Sequence, residues 1–204
     1  MLKIILFGIA VVIAGVLAYA ATRPDTFRVH RTANIAAPPE KIFPLIDDLR
    51  SGERWSPYYR KDPAMKGTYT GPGSGPGSAF EFAGNKDVGS GRLTITDSAP
   101  PGKVTMRLQM HEPFAADNIV EFTLVPRGAT TDVTWAMRGR QPYLAKLMGL
   151  FFDMDKMVGT DFAAGLASLK AIVEGPVPVV GSVGFGSAKS DGSDHRHLMT
   201  NDGL

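Results

Sequence analysis

The sequence predicts an α+β domain, an antiparallel β-meander covered on one face by a long C-terminal helix, with a separate apolar helix ahead of it. Three observations predict this. Short runs of alternating apolar and polar residues follow one another from Met65 to Arg138, with Gly, Pro and Asn between them. Apolar residues then recur at helical spacing from Leu144 to Val173. Ile4 to Ala21 carries no charge at all.

The chain has 204 residues, which fits one domain with appendages. Residues 1–24 are expected to be a membrane anchor, 25–174 the folded domain and 175–204 a flexible Gly/Ser-rich tail. A formal net charge of +2 with no dense Lys/Arg stretch gives no footprint for nucleic acid. There is no cysteine, which excludes disulfides, thiolate metal sites and cysteine nucleophiles.

The N-terminal run IILFGIAVVIAGVLAYAA is ~27 Å long as a helix, close to the thickness of a bilayer core. Lys3 and Arg23 bracket it, and Tyr19 sits where an interfacial aromatic belongs. A cleaved signal peptide competes, because Ala18-Tyr19-Ala20 has the small-x-small pattern. The apolar run exceeds the ~7–15 residues of a signal core, which favours a retained anchor at residues 4–21. Arg23, Arg28, Arg31 and Lys41 follow the helix, so the positive-inside rule favours a cytoplasmic domain.

Phe27–Ile35 alternates as a first strand. Pro38-Pro39-Glu40 opens a helix whose stripe is Ile42, Phe43, Leu45, Ile46 and Leu49, with Gly52 and Pro57 as its breakers. Further strands are expected at 65–70, 79–83, 92–96, 104–110, 119–125 and 133–138. Gly71 to Gly77 reads as a flexible connection at a cavity mouth; it lacks the Lys-Ser/Thr ending of a phosphate loop. Gln141-Pro142 opens a helix of over 30 residues, with Gly149, Gly159 and Gly165 inside it so that it can bend over, or lie close to, something bulky. Glu174-Gly175-Pro176 stops it.

Alternation also suggests a register. Pairing Met106 with Phe122 gives one inner row Ile95–Met106–Phe122–Trp135 and a second Phe80–Leu93–Leu108–Val120–Met137. Arg92, Thr94, Arg107, Gln109, Glu121, Thr123, Thr134 and Arg138 then fall outside, with Arg107 across from Glu121. Gly89 and Gly91 fall on the inner face and leave gaps among bulky neighbours. A half-buried sheet needs a cover, and the last helix is the element long enough.

These elements, with Trp55-Ser56-Pro57, Asp62-Pro63-Ala64-Met65, Val88-Gly89-Ser90-Gly91, Glu121-Phe122-Thr123-Leu124, Val133-Thr134-Trp135-Ala136-Met137 and Gly165-Leu166-Ala167-Ser168-Leu169-Lys170, resemble the SRPBCC superfamily of START-like lipid-transfer and polyketide cyclase/dehydrase proteins. The resemblance spans about residues 27–173. It implies a helix-grip fold, a curved antiparallel sheet wrapped around the last helix to enclose a ligand cavity. It implies no shared catalytic residue.

The first functional expectation is therefore a membrane-anchored binder or carrier of an apolar lipid-like or polyketide-like molecule. Its ligand-binding residues are expected to be Trp55, Phe80, Phe82, Met106, Leu108, Met110, Phe122, Trp135, Met137, Phe151 and Met154. The second is a cyclase or dehydratase, which needs an acid or base inside the cavity. His30 and His111 have outer parity, the inner rows hold no carboxylate, and Tyr58, Tyr69 and Arg31 are the polar groups left over. Asp153, Asp155 and Asp161 read as solvated helix residues. The third is a protein-interaction module, which requires an exposed apolar patch. No cofactor is expected and no metal, since His195 and His197 in the tail make only half a site.

Overall fold

The computed structural model of the chain describes residues 1–150 and 153–175. Helix α1 (Leu2–Ala21) is followed by β1 (Thr26–Ile35), α2 (Pro39–Asp47), a 3₁₀ turn at Leu49–Ser51, and the short helices α3 (Gly52–Trp55) and α4 (Pro57–Lys61). Strands β2 (Lys66–Thr70), β3 (Ala79–Ala83), β4 (Ser90–Ala99), β5 (Lys103–Glu112), β6 (Ala116–Arg127) and β7 (Thr130–Arg140) come next, then α5 (Tyr143–Met148) and α6 (Met154–Glu174).

The seven strands form one antiparallel sheet in the order β1-β7-β6-β5-β4-β3-β2. The meander is sequential because each turn is short and local. β1 closes onto β7 at one edge. The expected alternation holds along β6, where Asn118, Val120, Phe122 and Leu124 are buried and the residues between them are not. Together with α2, α3 and α6 this inner face forms the core, in which Ile42, Phe122, Phe162, Leu166 and Leu169 are fully buried.

The β5–β6 register departs from the expectation by two residues. Met106 faces Val120, Val104 faces Phe122 and Leu108 faces Asn118. The other expected pairs, Ile95 with Met106, Phe80 with Leu93, Leu93 with Leu108, Phe122 with Trp135 and Val120 with Met137, are present. A shift of two keeps every side chain on its face, so alternation cannot tell the two registers apart. The hairpin turn at residues 113–115 selects one by pairing Met110 with Ala116. As a result Arg107 lies opposite Ile119 and forms its ion pair with Asp117, while Glu121 pairs with Lys103 at 3.2 Å.

The last helix is not continuous. α5 stops at Gly149, and α6 begins where the Asp153 carboxylate accepts the Lys156 backbone N–H at 3.0 Å. Apolar periodicity ran through this point because it does not register caps. Phe151 and the tail from residue 176, with His195 and His197, lie outside the described residues, as does the side chain of Met154.

The segment 71–77 is pinned rather than loose. Gly75 N–H donates to the Asp47 carbonyl at 3.2 Å and Gly77 N–H to that of Ile95 at 2.9 Å. At Gly71 the φ of +81° and a Cβ position blocked by the Gly77 carbonyl both demand glycine.

Candidate functional site

The sheet, α2–α4 and α6 enclose a cavity of about 270 Å³. It lies just below the ~300–1,000 Å³ usual for small-molecule pockets.

Strand parity builds most of its wall. Phe80, Phe82, Met106, Leu108, Met110, Phe122, Trp135 and Met137 project from β3, β5, β6 and β7 onto it. Trp55 reaches it from α3 and is oriented by its indole N–H, which donates to the Leu45 carbonyl at 2.8 Å. These are the candidate residues that the fold brings together.

The sequence reading missed the opposite wall. Ile46, Leu49, Gly52 and Tyr59 contribute from the α2–α4 segment, Met65 and Val88 from loops, and Asn118 from β6. The apolar stripe of α2 was visible, but its position over the cavity was not. Asn118 has inner-row parity and is only 7% exposed, a polar residue among apolar ones. That break in the pattern was the available signal.

The helix glycines have a specific use. A Cβ at Gly165 would stand 2.7 Å from Trp135 Cζ3 and 3.0 Å from Pro57 Cδ. Bare backbone there lets α6 lie against the Trp135 ring, which stacks on Phe162 at 4.2 Å and meets Phe122 at 5.0 Å and Trp55 at 5.5 Å. Gly159 makes room for the Arg31 guanidinium, which bonds Asp155 through both carboxylate oxygens at 3.1 and 2.9 Å. Gly89, just before β4, and Gly91 within it do not leave the cavity space expected of them. Gly91 is closed off by Phe82 and the Gln109 carbonyl, and Gly89 has φ +76° against the Glu112 carbonyl.

The polar side chains on the wall are those of Asp48, Ser56, Tyr58, Tyr59 and Asn118, and Tyr69 stands behind Tyr59. Tyr69 donates its O–H to Glu53 Oε1 at 2.9 Å, leaving its oxygen to accept from Tyr59 at 2.7 Å. Burial pushes the Tyr58 hydroxyl well above the ordinary phenol range, with the charge of Asp161 adding to it. Burial raises Tyr59 too, so neither phenol approaches neutrality. The Trp135 indole N–H is buried without a partner among the described residues.

Other polar candidates lie elsewhere. His30 and His111 are exposed on the outer face. Arg31 is tied to Asp155, Asp161 to Lys61 at 2.6 Å, and Asp153 caps α6. Among the described residues no cluster of His, Cys, Asp and Glu has the makings of a metal site.

α1 is long and apolar enough to cross a membrane, and only Ala20 in it is buried. Its last turns pack against α5. Tyr143 O–H donates to the Leu17 carbonyl at 2.8 Å, and Lys146 Nζ reaches Asp25 at 2.5 Å. Phe114, Tyr143, Leu144 and Met148 are exposed, which supplies the apolar surface that the sequence alone did not reveal.

The family model for polyketide cyclase / dehydrase and lipid transport matches residues 26–174. No curated protein matches the chain. Truncated norcoclaurine synthase from Thalictrum flavum superposes with a TM-score of 0.59 at 11% identity, covering 72% of this chain and 93% of that one. A Chromobacterium violaceum protein gives 0.53 at 18% identity, covering 75% and 99%. The Aha1 dimer from Colwellia psychrerythraea gives 0.52 at 19%, covering 72% and 96%. At these identities the structures share the fold and carry no functional residue across.

Proposed function

This chain belongs to the polyketide cyclase / dehydrase and lipid transport family, and from that premise we propose that it is a membrane-tethered binder or carrier of an apolar small molecule. The observation that carries this reading is the 270 Å³ cavity, walled almost entirely by aromatic, Met and aliphatic side chains. Moving such a ligand out of water gains about 25 cal/mol for each Å² of apolar surface buried. The wall is rich in Met, which adapts its shape, and this suits a class of related ligands. Trp55, Phe80, Phe82, Met106, Leu108, Met110, Phe122, Trp135 and Met137 are its proposed binding residues.

The tether is α1, retained rather than cleaved, with the basic residues after it favouring a cytoplasmic domain. Native mass spectrometry of the full chain released from membranes tests the whole reading. A co-purified lipid or polyketide-like mass bound stoichiometrically is expected. Only apo protein, together with no uptake of added acyl chains, refutes it.

One feature favours a second reading, a cyclase or dehydratase. The Tyr59 phenol on the wall is linked through Tyr69 to the Glu53 carboxylate. With its one O–H donated to Tyr69 and its pKa raised, Tyr59 presents its oxygen as an acceptor for a substrate O–H and does not abstract a proton near neutrality. Turnover of an apolar substrate that falls in Tyr59→Phe while binding is kept favours this reading over the carrier.

A further inference from the structure

Antiparallel pairing places one end of every strand at the end of the sheet where α1 joins β1. Thr26 pairs with Arg140, Asn118 with Gly139, Met110 with Ala116, Ser90 with Glu112 and Ala83 with Ser90. The start of β1, the end of β7 and the β3–β4 and β5–β6 loops therefore share one end of the sheet. α5 leaves β7 at that same end.

Three observations converge there. The first is the connection to α1. Only Thr22 to Asp25 separate α1 from β1, a span of at most ~14 Å. The connection is also pinned: the Asp25 carbonyl accepts from Gln141 N–H at 2.7 Å and its carboxylate holds Lys146. Tyr143 reaches the Leu17 carbonyl, about 6 Å below the end of α1. A membrane holding α1 therefore lies directly against α5.

The second is where apolar side chains are exposed. Leu144 is 60% and Phe114 59% exposed, and Tyr143 and Met148 join them. These four belong to α5 or to the β5–β6 turn at this end, while Val125 and Met157, also exposed, lie on β6 and α6. Tyr19, Arg23 and Tyr143 supply the aromatic and basic groups that favour an interface. The third is the cavity. Its Phe82, Val88 and Met110 wall belongs to the same strand ends and loops.

We infer that this end of the domain is a membrane-docking face, with α5 and the Phe114 turn seated in the bilayer interface and the Val88–Met110 end of the cavity turned toward lipid. The inference rests on the reading of α1 as a retained anchor. The exposed apolar face of α5, packed on the membrane helix, is covered by the bilayer that holds that helix, and the Phe114 turn lies at the same end of the sheet. A ligand partitioned in that bilayer then reaches the cavity without crossing bulk water.

The chain has no cysteine, so single labels can be placed without background. The full chain, reconstituted in phosphatidylcholine vesicles, carries an environment-sensitive fluorophore at Val12→Cys, Phe114→Cys, Leu144→Cys or Val125→Cys. Val125 is exposed at the far end of β6 and serves as control. Emission is quenched with a nitroxide lipid or with aqueous iodide. The expected result is loss of most emission to the nitroxide at 12, 114 and 144, and iodide quenching at 125 alone. If 12 is lipid-quenched but 114 and 144 follow 125, the docking face is wrong and the anchor stands. If 114 and 144 resist both quenchers, another protein surface covers them and the inference is overturned. If 12 escapes the nitroxide, the anchor reading falls and the docking face with it.

Discussion

Gly165→Ala tests the contact that shapes the cavity. At an unconstrained position inside a helix, this change gains about 1 kcal/mol from helix propensity. Gly165 is not unconstrained, because its Cβ would lie 2.7 Å from Trp135 Cζ3, where carbon contacts prefer ~3.5–4.0 Å. The Trp135 ring is held between Phe162 and Phe122, with the Trp55 ring at its edge. Either the ring tilts or α6 lifts by a large fraction of an ångström. Overpacking of this kind costs about 1–3 kcal/mol, so the net loss is roughly 0–2 kcal/mol. For a domain this size that lowers Tm by up to about 8 °C. Gly159→Ala is the comparison. Its Cβ meets only the mobile end of Arg31, whose exposed pair with Asp155 is worth little, so the net effect stays within about 1 kcal/mol of zero. Thermal melts and near-UV circular dichroism of the full chain in detergent read both variants. If Gly165→Ala melts above the parent with an unchanged tryptophan signal, the close approach of α6 to Trp135 is refuted.

Phe122→Lys buries an unpaired charge in the inner face and costs ~4 kcal/mol or more, whereas Glu121→Lys breaks a half-exposed pair and costs under ~1 kcal/mol; equal losses in denaturant titrations would show the faces to be wrong. Leu108→Phe, which enlarges a wall residue without adding a tryptophan, is expected to reduce uptake of an apolar probe followed by Trp55 and Trp135 emission, with stability checked alongside; unchanged uptake would place the ligand elsewhere. Uptake should be flat from about pH 5.5 to 8, because among the described residues no histidine lines the cavity and the Tyr58 and Tyr59 phenols are pushed up, away from that window; a titration step there would refute it. Lys146 holds the Asp25 carboxyl below the usual carboxylate range, so its contribution to α1–α5 docking is full above about pH 4 and is lost as pH falls through the lowered value. Hydrogen exchange in α5 should loosen only at that acid end, and Asp25→Asn should abolish the transition; loosening near neutrality would contradict this.

Periodicity in the sequence was enough to determine which side of each strand faces inward, because a strand's side chains alternate whatever it pairs with. It also identified α1 by length and lack of charge, and the inner-face aromatics and methionines that the cavity gathers. What it could not determine depends on neighbours distant in the chain. The β5–β6 register hung on the geometry of a three-residue turn, since a slip of two leaves alternation intact. The caps at Gly149 and Asp153 were present in the sequence but silent to a search for apolar spacing. Gly165 and Gly91 look alike as letters; one admits a tryptophan and the other is filled by Phe82, a difference decided by the residues packed against each. The second wall of the cavity and the packing of α5 on α1 exist only once the chain has folded back on itself. A one-dimensional pattern fixes the direction of a side chain relative to its own backbone, and only tertiary packing fixes what stands opposite.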